Sequence, residues 1–285
     1  MPLSSEIVGQ RTRPFHHTVD ARWLMAYCAG IDETAPCYFD TTQPIQAHPV
    51  FPACLEWDAV LALRHGPGSA AMNPQEQARA VHAEHDIHLL QSIVPGSELT
   101  TIAIAIGAEQ RSPGAYLTLR LDTMDASGTL VCRTYYGTLY RDVVLIGAAR
   151  MLEPVPVAPA SSAPAAARHT IPIGATAAHL YTECARIWNP IHTDRAHALA
   201  AGLPDLILHG TATLARAVSA VVSNYLDVPS RIRRVGCRFS GMVMMPSTLT
   251  LDITAHDWAG VGFRVLNENG AEVIKQGFMT FDHTR

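Results

Sequence analysis

The sequence is poor in charged residues, and it contains no long uninterrupted hydrophobic run. Only 16% of its 285 residues are charged, and the formal net charge of −4 gives no reason to expect nucleic acid as a partner. No apolar run approaches the length of a membrane span, and the first residues lack the pattern of a signal peptide. We therefore expect a cytoplasmic protein without a membrane partner.

Cysteines at metal-binding or redox spacing are also missing. The six cysteines are scattered, and no two of them form a Cys-x-x-Cys pair. This pattern is typical of reduced core residues and predicts neither a disulfide framework nor a zinc site. His82, His85 and His88 fall on one predicted strand, where only residues of equal parity share a face, so we expect them not to converge on a metal.

The sequence is instead rich in hydrophobic residues, which make up 48% of the chain and favour burial of some surface in a homodimer. Apolar spacing predicts helices and strands in an order that occurs twice. In the first half the predicted helices are 19–30 and 51–64, and the strands are 80–94, 99–106, 115–124 and 129–140. In the second half the helices are 175–187, 190–201 and 210–225, and the strands are 233–243, 248–256, 260–266 and 272–281.

Short local matches support a duplication of about half the chain. Pro36–Asp40 corresponds to Pro190–Asp194, and Ala47-His48-Pro49 corresponds to Leu208-His209-Gly210. Between the halves lies a stretch of mostly Ala, Pro, Ser and Val, which is typical of a linker. We predict an α+β protein with an N-terminal domain (1–150), a linker (151–168) and a C-terminal domain (169–285).

One stretch of the second half contains polar residues in a pattern typical of a functional site. Pro190 suits a first helical position, so Asn189 is predicted to be an N-cap whose side chain bonds the next turn. His192 then falls at the third helical position, and Asp194 lies near the positive end of the helix dipole. In the first copy Tyr38 replaces His192 and Ala35 replaces Asn189, so any chemistry belongs to the second copy.

These residues carry a family resemblance. Asn189-Pro190-Ile191-His192-Thr193-Asp194, followed by His209-Gly210 at the start of a long helix, resembles the hydratase motif of the MaoC-like (R)-specific enoyl-CoA hydratases and dehydratases. The first half is similar to the degenerate N-terminal copy of two-domain members. The resemblance implies a double hotdog fold, in which each half wraps an antiparallel sheet round one long helix. It also implies an acyl-CoA substrate, with no cofactor besides that coenzyme A thioester.

The chemistry of a hydratase suits these residue types. Addition of water to a trans-2-enoyl thioester needs a base, and the imidazole of His192 titrates near neutral pH. Asn189 could position the water or the thioester, and the N–H of Gly210 at a helix start could stabilise the enolate oxygen. The resemblance assigns the same catalytic roles to these positions. We expect substrate contacts from His209, Thr211 and Asp194.

One position departs from the family pattern. Ile187 stands where the motif has an aspartate, and Arg186 stands where it has a glycine. The predicted enzyme is therefore an enoyl-CoA hydratase or 3-hydroxyacyl-CoA dehydratase with a non-standard acid–base set. Acidic residues that could substitute for the aspartate are Glu183, Asp194, Glu56 and Asp58.

Two other functions fit the same residues. A hotdog acyl-CoA thioesterase would direct water at the carbonyl carbon instead of the beta carbon. A non-catalytic acyl-thioester-binding subunit would leave the chemistry to a partner or perform none. Four arginines could contact the phosphates of coenzyme A or protect a solvated strand edge: Arg231, Arg233, Arg234 and Arg238.

Overall fold

A computed structural model describes residues 3–66, 69, 72–159, 164–226, 229–257 and 259–282. Its helices are α1 (Ala21–Gly30), α2 (Pro36–Phe39), α3 (Pro52–Arg64), α4 (Pro74–Gln77), α5 (Ala177–Ala185), α6 (Arg195–Ala200) and α7 (Gly210–Tyr225). Its strands are β1 (Leu3–Ser4), β2 (Phe15–Val19), β3 (Ala80–Leu89), β4 (Ser97–Arg111), β5 (Gly114–Asp125), β6 (Leu130–Arg141), β7 (Leu145–Ile146), β8 (Arg150–Met151), β9 (Ala167–Ile173), β10 (Ile232–Phe239), β11 (Ser247–His256), β12 (Gly260–Leu266) and β13 (Glu272–Phe281). None of the described helices combines the length and apolar character that crossing a bilayer requires.

Each predicted helix and strand is present in the predicted order, although one predicted helix is divided in two. The sequence pattern did not predict two short helices and five strands, namely α2, α4, β1, β2, β7, β8 and β9. The segment 190–201 is not a single helix, because a 3-10 turn at Pro190–His192 precedes a separate α6. The break arises at Asp194, whose side chain accepts a hydrogen bond from the backbone N–H of His197 and so starts a new helix.

The chain divides into two compact units. The first comprises residues 1–17, 55–91 and 98–157. Its antiparallel strands follow the order β4–β5–β6–β3, and β8 pairs with β4. Its buried apolar core joins side chains of α3 to those of β4, β5 and β6, among them Ala59, Val60, Leu63, Ala103, Leu119 and Tyr136. A long amphipathic segment packed on an antiparallel sheet is the expected arrangement for this half.

The second unit comprises residues 18–54, 92–97 and 158–285. Its strands follow the antiparallel order β10–β13–β12–β11–β9. Helix α7 is buried along almost its whole length, and α1 packs against α5. At Gly30 an added Cβ would lie 2.7 Å from the Cβ of Cys184, so glycine is what lets these two helices approach closely.

The two units are defined by contacts within the structure, and their boundaries differ from those of the two halves of the sequence. Residues 18–54 and 92–97 come from the first half, yet they group with residues 158–285. Part of the predicted linker, 160–163, lies outside the described residues. The neighbouring residues 152–159 contain no helix or strand, and β9 begins at Ala167, inside the predicted linker. The boundaries at 150 and 168 therefore remain a prediction from the repeat.

Candidate active site

A short backbone turn holds His192 in place. The N–H of His192 donates to the carbonyl of Asn189 at 3.1 Å, and the N–H of Thr193 donates to that of Pro190 at 3.2 Å. Pro190 occupies the first position of this turn, which suits its fixed backbone angle. The ring of His179 on α5 bonds to the carbonyl of Thr193 at 3.2 Å. His192 is thus fixed at its backbone, with only 8% of its surface exposed.

The His192 ring has a defined tautomer. Its Nδ1 lies 2.7 Å from the carbonyl oxygen of Ile207, and because a carbonyl can only accept, Nδ1 carries the proton. Pairing of Leu208 with Val243 and of Ile207 with Met244 holds that carbonyl in position. Nε2 is therefore the nitrogen with the lone pair. Burial lowers the pKa of His192 to about 4, although the bond to Ile207 opposes this shift. The ring is neutral at pH 7 and can act as a base.

His209 lies directly against His192. The two rings are stacked, with centroids 3.6 Å apart and an angle of 25° between their planes. Thr182 on α5 hydrogen bonds to His209 Nε2 at 3.3 Å. Burial, followed by the charge of a protonated His192, lowers the pKa of His209 well below its usual value, and hydrogen bonding to the backbone of Ile187 opposes this. Two stacked imidazoles that resist protonation make a neutral site at physiological pH.

The start of α7 provides unbonded N–H groups beside this pair. The first intrahelical bond runs from the N–H of Thr213 to the carbonyl of His209, so the amides of Gly210, Thr211 and Ala212 have no partner within the helix. An added Cβ at Gly210 would lie 3.0 Å from the ring of Phe239, so only glycine fits there without displacing that ring. These amides lie at the positive end of the helix dipole.

Tyr181 and Thr182 belong to the site, although sequence reasoning missed both. The hydroxyl of Tyr181 donates to Thr211 Oγ1 at 3.0 Å, and its ring centroid lies 4.9 Å from that of His209. Both residues are buried on α5. Neither stands in a recognisable motif, and only the helical spacing of α5 hinted that they face inward.

The structure brings together His192, His209, Gly210 and Thr211, but it separates Asp194 from them. Asp194 is exposed and caps α6, where its carboxylate bonds to the N–H of His197. Asn189 begins the turn, but its side chain makes no capping bond, so the prediction of a side-chain cap is wrong. Its half-buried amide is consequently available to a ligand.

The position of the missing aspartate is part of the apolar core. Ile187 is 5% exposed, and its N–H donates to the carbonyl of Thr182 at 3.1 Å. Arg186, at the motif's glycine position, adopts the left-handed conformation (φ 58°, ψ 35°) that glycine favours. Its guanidinium lies 4.0 Å above the ring of Trp23. At these two positions the chain thus has a left-handed arginine and a buried isoleucine.

The corresponding pair in the first copy cannot act as a base. The rings of Tyr38 and His48 are buried and lie 5.7 Å apart. His48 Nδ1 accepts the N–H of Val50 at 3.2 Å, and its Nε2 bonds to the hydroxyl of Ser219, also at 3.2 Å. Burial lowers the pKa of His48 to about 3. Because both nitrogens are used, His48 is a structural residue.

Two histidines of β3 meet although their positions differ in parity, which the sequence pattern did not predict. A register shift between His82 and Glu84 changes the facing of side chains, so His82 Nε2 and His85 Nδ1 lie 3.2 Å apart. His88 instead lies beside Asp86. Within the described ranges, no three His, Cys, Asp or Glu side chains are grouped as metal ligands.

Comparison with known families matches both halves of the chain. Residues 157–276 match the MaoC like domain, and residues 6–134 match the FAS1-like dehydratase domain region. Peroxisomal multifunctional enzyme type 2 of Drosophila melanogaster is 28% identical over 203 residues, which cover 70% of this chain and 34% of that protein. Enoyl-CoA hydratase ChsH3 of Mycobacterium tuberculosis is 38% identical over 66 residues, 23% of each chain. The matched parts thus span about a third or less of these curated relatives.

Solved structures share the fold. A MaoC-like dehydratase from Phytophthora capsici superposes with a TM-score of 0.82 at 19% identity, covering 97% of both chains. Rv0216 of Mycobacterium tuberculosis, described as having a double hotdog fold, superposes with a TM-score of 0.60 at 15% identity, covering 96% of this chain and 95% of its own. The predicted α+β double hotdog fold is confirmed.

Proposed function

Because this chain belongs to the MaoC-like hydratase/dehydratase family, we propose that it interconverts a trans-2-enoyl-CoA and an (R)-3-hydroxyacyl-CoA. The observation that carries the proposal is the buried, neutral His192. Its Nδ1 is bound to a backbone carbonyl, and its ring stacks on the residue that precedes the unbonded amides of α7. A base beside hydrogen-bond donors is what hydration of a conjugated thioester requires.

Each group of the site has a role in this reaction. His192 Nε2 removes a proton from water as the oxygen attacks the beta carbon. The amide of Gly210, and with it that of Thr211, donates to the thioester oxygen as negative charge develops there. Asn189 orients the water or the thioester, and Tyr181 fixes the hydroxyl of Thr211. The acid–base set lacks the family's aspartate because Ile187 takes its place.

The proposal extends to ligands and assembly. The substrate is a coenzyme A thioester, and no cofactor is needed because hydration involves no net oxidation or reduction. The chain acts as a homodimer in the cytoplasm. His209 and Thr211 line the substrate, whereas Asp194 contributes through the cap of α6.

The test is hydration of trans-2-butenoyl-CoA and of longer trans-2-enoyl-CoA thioesters. We expect the enoyl-thioester absorbance to fall without release of free thiol. His192→Ala should reduce kcat at least about a hundredfold, because a general base contributes that order of rate. His197→Ala is the matched control, since this exposed histidine lies on neighbouring α6 and should keep activity.

The same assay separates the two alternatives. Release of free thiol would identify a thioesterase and contradict the proposal. Binding of the thioesters without turnover by the wild type would identify a non-catalytic subunit. Full activity of His192→Ala would remove His192 from the mechanism.

A further inference from the structure

We propose that one atom, Nε2 of His192, carries both proton transfers of the reaction. This inference rests on the proposed function and concerns only how protons move. The family motif has a carboxylate two residues before its asparagine, but here Ile187 presents an apolar side chain buried in the core. A second acid or base would have to come from another side chain near His192.

The first candidate for such a group is His209, whose ring stacks on that of His192. Its Nε2 bonds to Thr182, and its Nδ1 is fully buried beside the backbone of Ile187. A proton on Nε2 would be held at the bond to Thr182, and a proton on Nδ1 would lie on an atom that is closed off by burial. His209 contributes the face of its ring to the site, and this face stacks on the ring of His192.

Three other titratable side chains of the neighbouring segments are also bonded elsewhere. Asp194 caps α6, and Asp205 accepts hydrogen bonds from Arg195 Nε at 3.1 Å and from the N–H of Leu206 at 2.8 Å. His179 bonds to the carbonyl of Thr193. Each of the three is more exposed than His192.

One base suffices for a complete and balanced reaction. His192 Nε2 takes one hydrogen of water as a proton while the remaining hydroxide bonds to the beta carbon. The π electrons of the carbon–carbon double bond move through the alpha carbon to the thioester oxygen, which the α7 amides stabilise. Nε2–H then returns the proton to the alpha carbon, the enolate reverts to the thioester, and the lone pair of Nε2 is restored. Both additions occur on the face that His192 occupies.

His209 acts as a positioning residue in this scheme. Its ring limits the movement of the His192 ring, and the Nδ1 bond to Ile207 fixes rotation about the remaining axis. Contact with His192 also lowers the pKa of His209, and burial lowers the pKa of His192, so that Nε2 of His192 is neutral and can accept a proton. The pair therefore favours a base that is charged only during the reaction.

The test is the pH dependence of kcat/KM for hydration of trans-2-butenoyl-CoA. One base that must be neutral gives a single acidic limb, with activity rising as pH increases through its pKa. A separate acid adds a second limb at higher pH and makes the profile bell-shaped. Since the pKa of His192 is about 4, we expect a flat profile from about pH 5.5 to about pH 9.

A matched variant makes the result specific. His209→Phe keeps a flat ring against His192 but removes both nitrogens, so we expect a lower kcat and an unchanged profile shape. A bell-shaped profile whose basic limb disappears in His209→Phe would overturn the inference and identify His209 as the acid. A basic limb that persists would overturn it in favour of another group. Absence of hydration by the wild type would instead reject the proposed function itself.

Discussion

At the scale of single residues, hydrogen bonds decide which histidine can do chemistry. His192 and His209 have corresponding residues in Tyr38 and His48, and all four are buried. His48 uses both ring nitrogens for structural bonds, whereas His192 uses only Nδ1. The sequence predicts that His192 is the reactive one because Tyr38 replaces it in the first copy. It does not predict the tautomer, because the bonding partner is a backbone carbonyl fifteen residues away.

Gly210 is the second residue whose role can be tested directly. In Gly210→Ala, the new Cβ would meet the Phe239 ring at 3.0 Å, so either the ring or the helix start must move. Because the proposed mechanism requires the α7 amides to point at the thioester oxygen, we expect kcat/KM to fall about tenfold to a hundredfold. The fold should remain intact by circular dichroism.

Gly174→Ala serves as the control for Gly210→Ala. An added Cβ at Gly174 meets no atom within 4 Å, so activity should be retained. If both variants kept wild-type kcat/KM, the start of α7 would not stabilise the transition state.

At the scale of secondary-structure elements, local backbone breaks shape the site more than regular helices or strands do. Apolar periodicity predicts the long helix α7 with its bounds, because one face of the helix is buried from Thr211 to Val222. It does not predict the 3-10 turn before α6 or the bulge of β3. Both depend on individual side-chain caps and pairings, which periodicity does not report.

The end of α5 illustrates such a break. Arg186 has a left-handed backbone, which costs a non-glycine residue about 1–2 kcal/mol, while its guanidinium gains about 0.5–1 kcal/mol over Trp23. We predict that the free energy of unfolding of Arg186→Gly lies within about 1 kcal/mol of the wild-type value. Arg186→Ala should be less stable than Arg186→Gly by about 1 kcal/mol, since both variants lose the contact with Trp23 but only alanine keeps the backbone strain. Urea denaturation of the three proteins measures this, and equal stability of the two variants would contradict it.

A second element-scale prediction concerns α3 in the first unit. Glu56 is buried there, accepts a hydrogen bond from Thr134, and lies 3.7 Å from His85 Nε2. Burial raises the pKa of Glu56 from 4.5 to about 7, although the Thr134 bond opposes this. The folded state disfavours the ionised form of Glu56. Its full contribution to the free energy of unfolding is therefore present below pH 4.5, and this contribution is lost as the pH rises to about 7.

Comparison of wild type with Glu56→Gln isolates this contribution from that of the buried histidines. The variant cannot ionise, so its stability relative to wild type should rise by on the order of 3 kcal/mol between pH 4.5 and pH 7. Thermal or urea unfolding at several pH values measures the difference. A constant difference across this range would show that Glu56 does not change its charge there.

At the scale of the whole molecule, duplication organises the chain, and the position of His192 in the second copy is occupied by Tyr38 in the first. The repeat could be read from the sequence because element order and short motifs recur. The compact units could not, since contacts place residues 18–54 with the second half. Tyr27 on α1 accordingly lies against Tyr181 on α5, with ring centroids 5.9 Å apart. A residue from the first half thus packs against a residue of the candidate site.

The most direct measurement of the central claim is turnover of the two enantiomers of 3-hydroxybutyryl-CoA in the dehydration direction. We expect the (R) form to give trans-2-butenoyl-CoA, the (S) form to give none, and His192→Ala to dehydrate neither. Dehydration of the (S) form, or release of coenzyme A thiol from either form, would contradict an (R)-specific hydratase with His192 as its base.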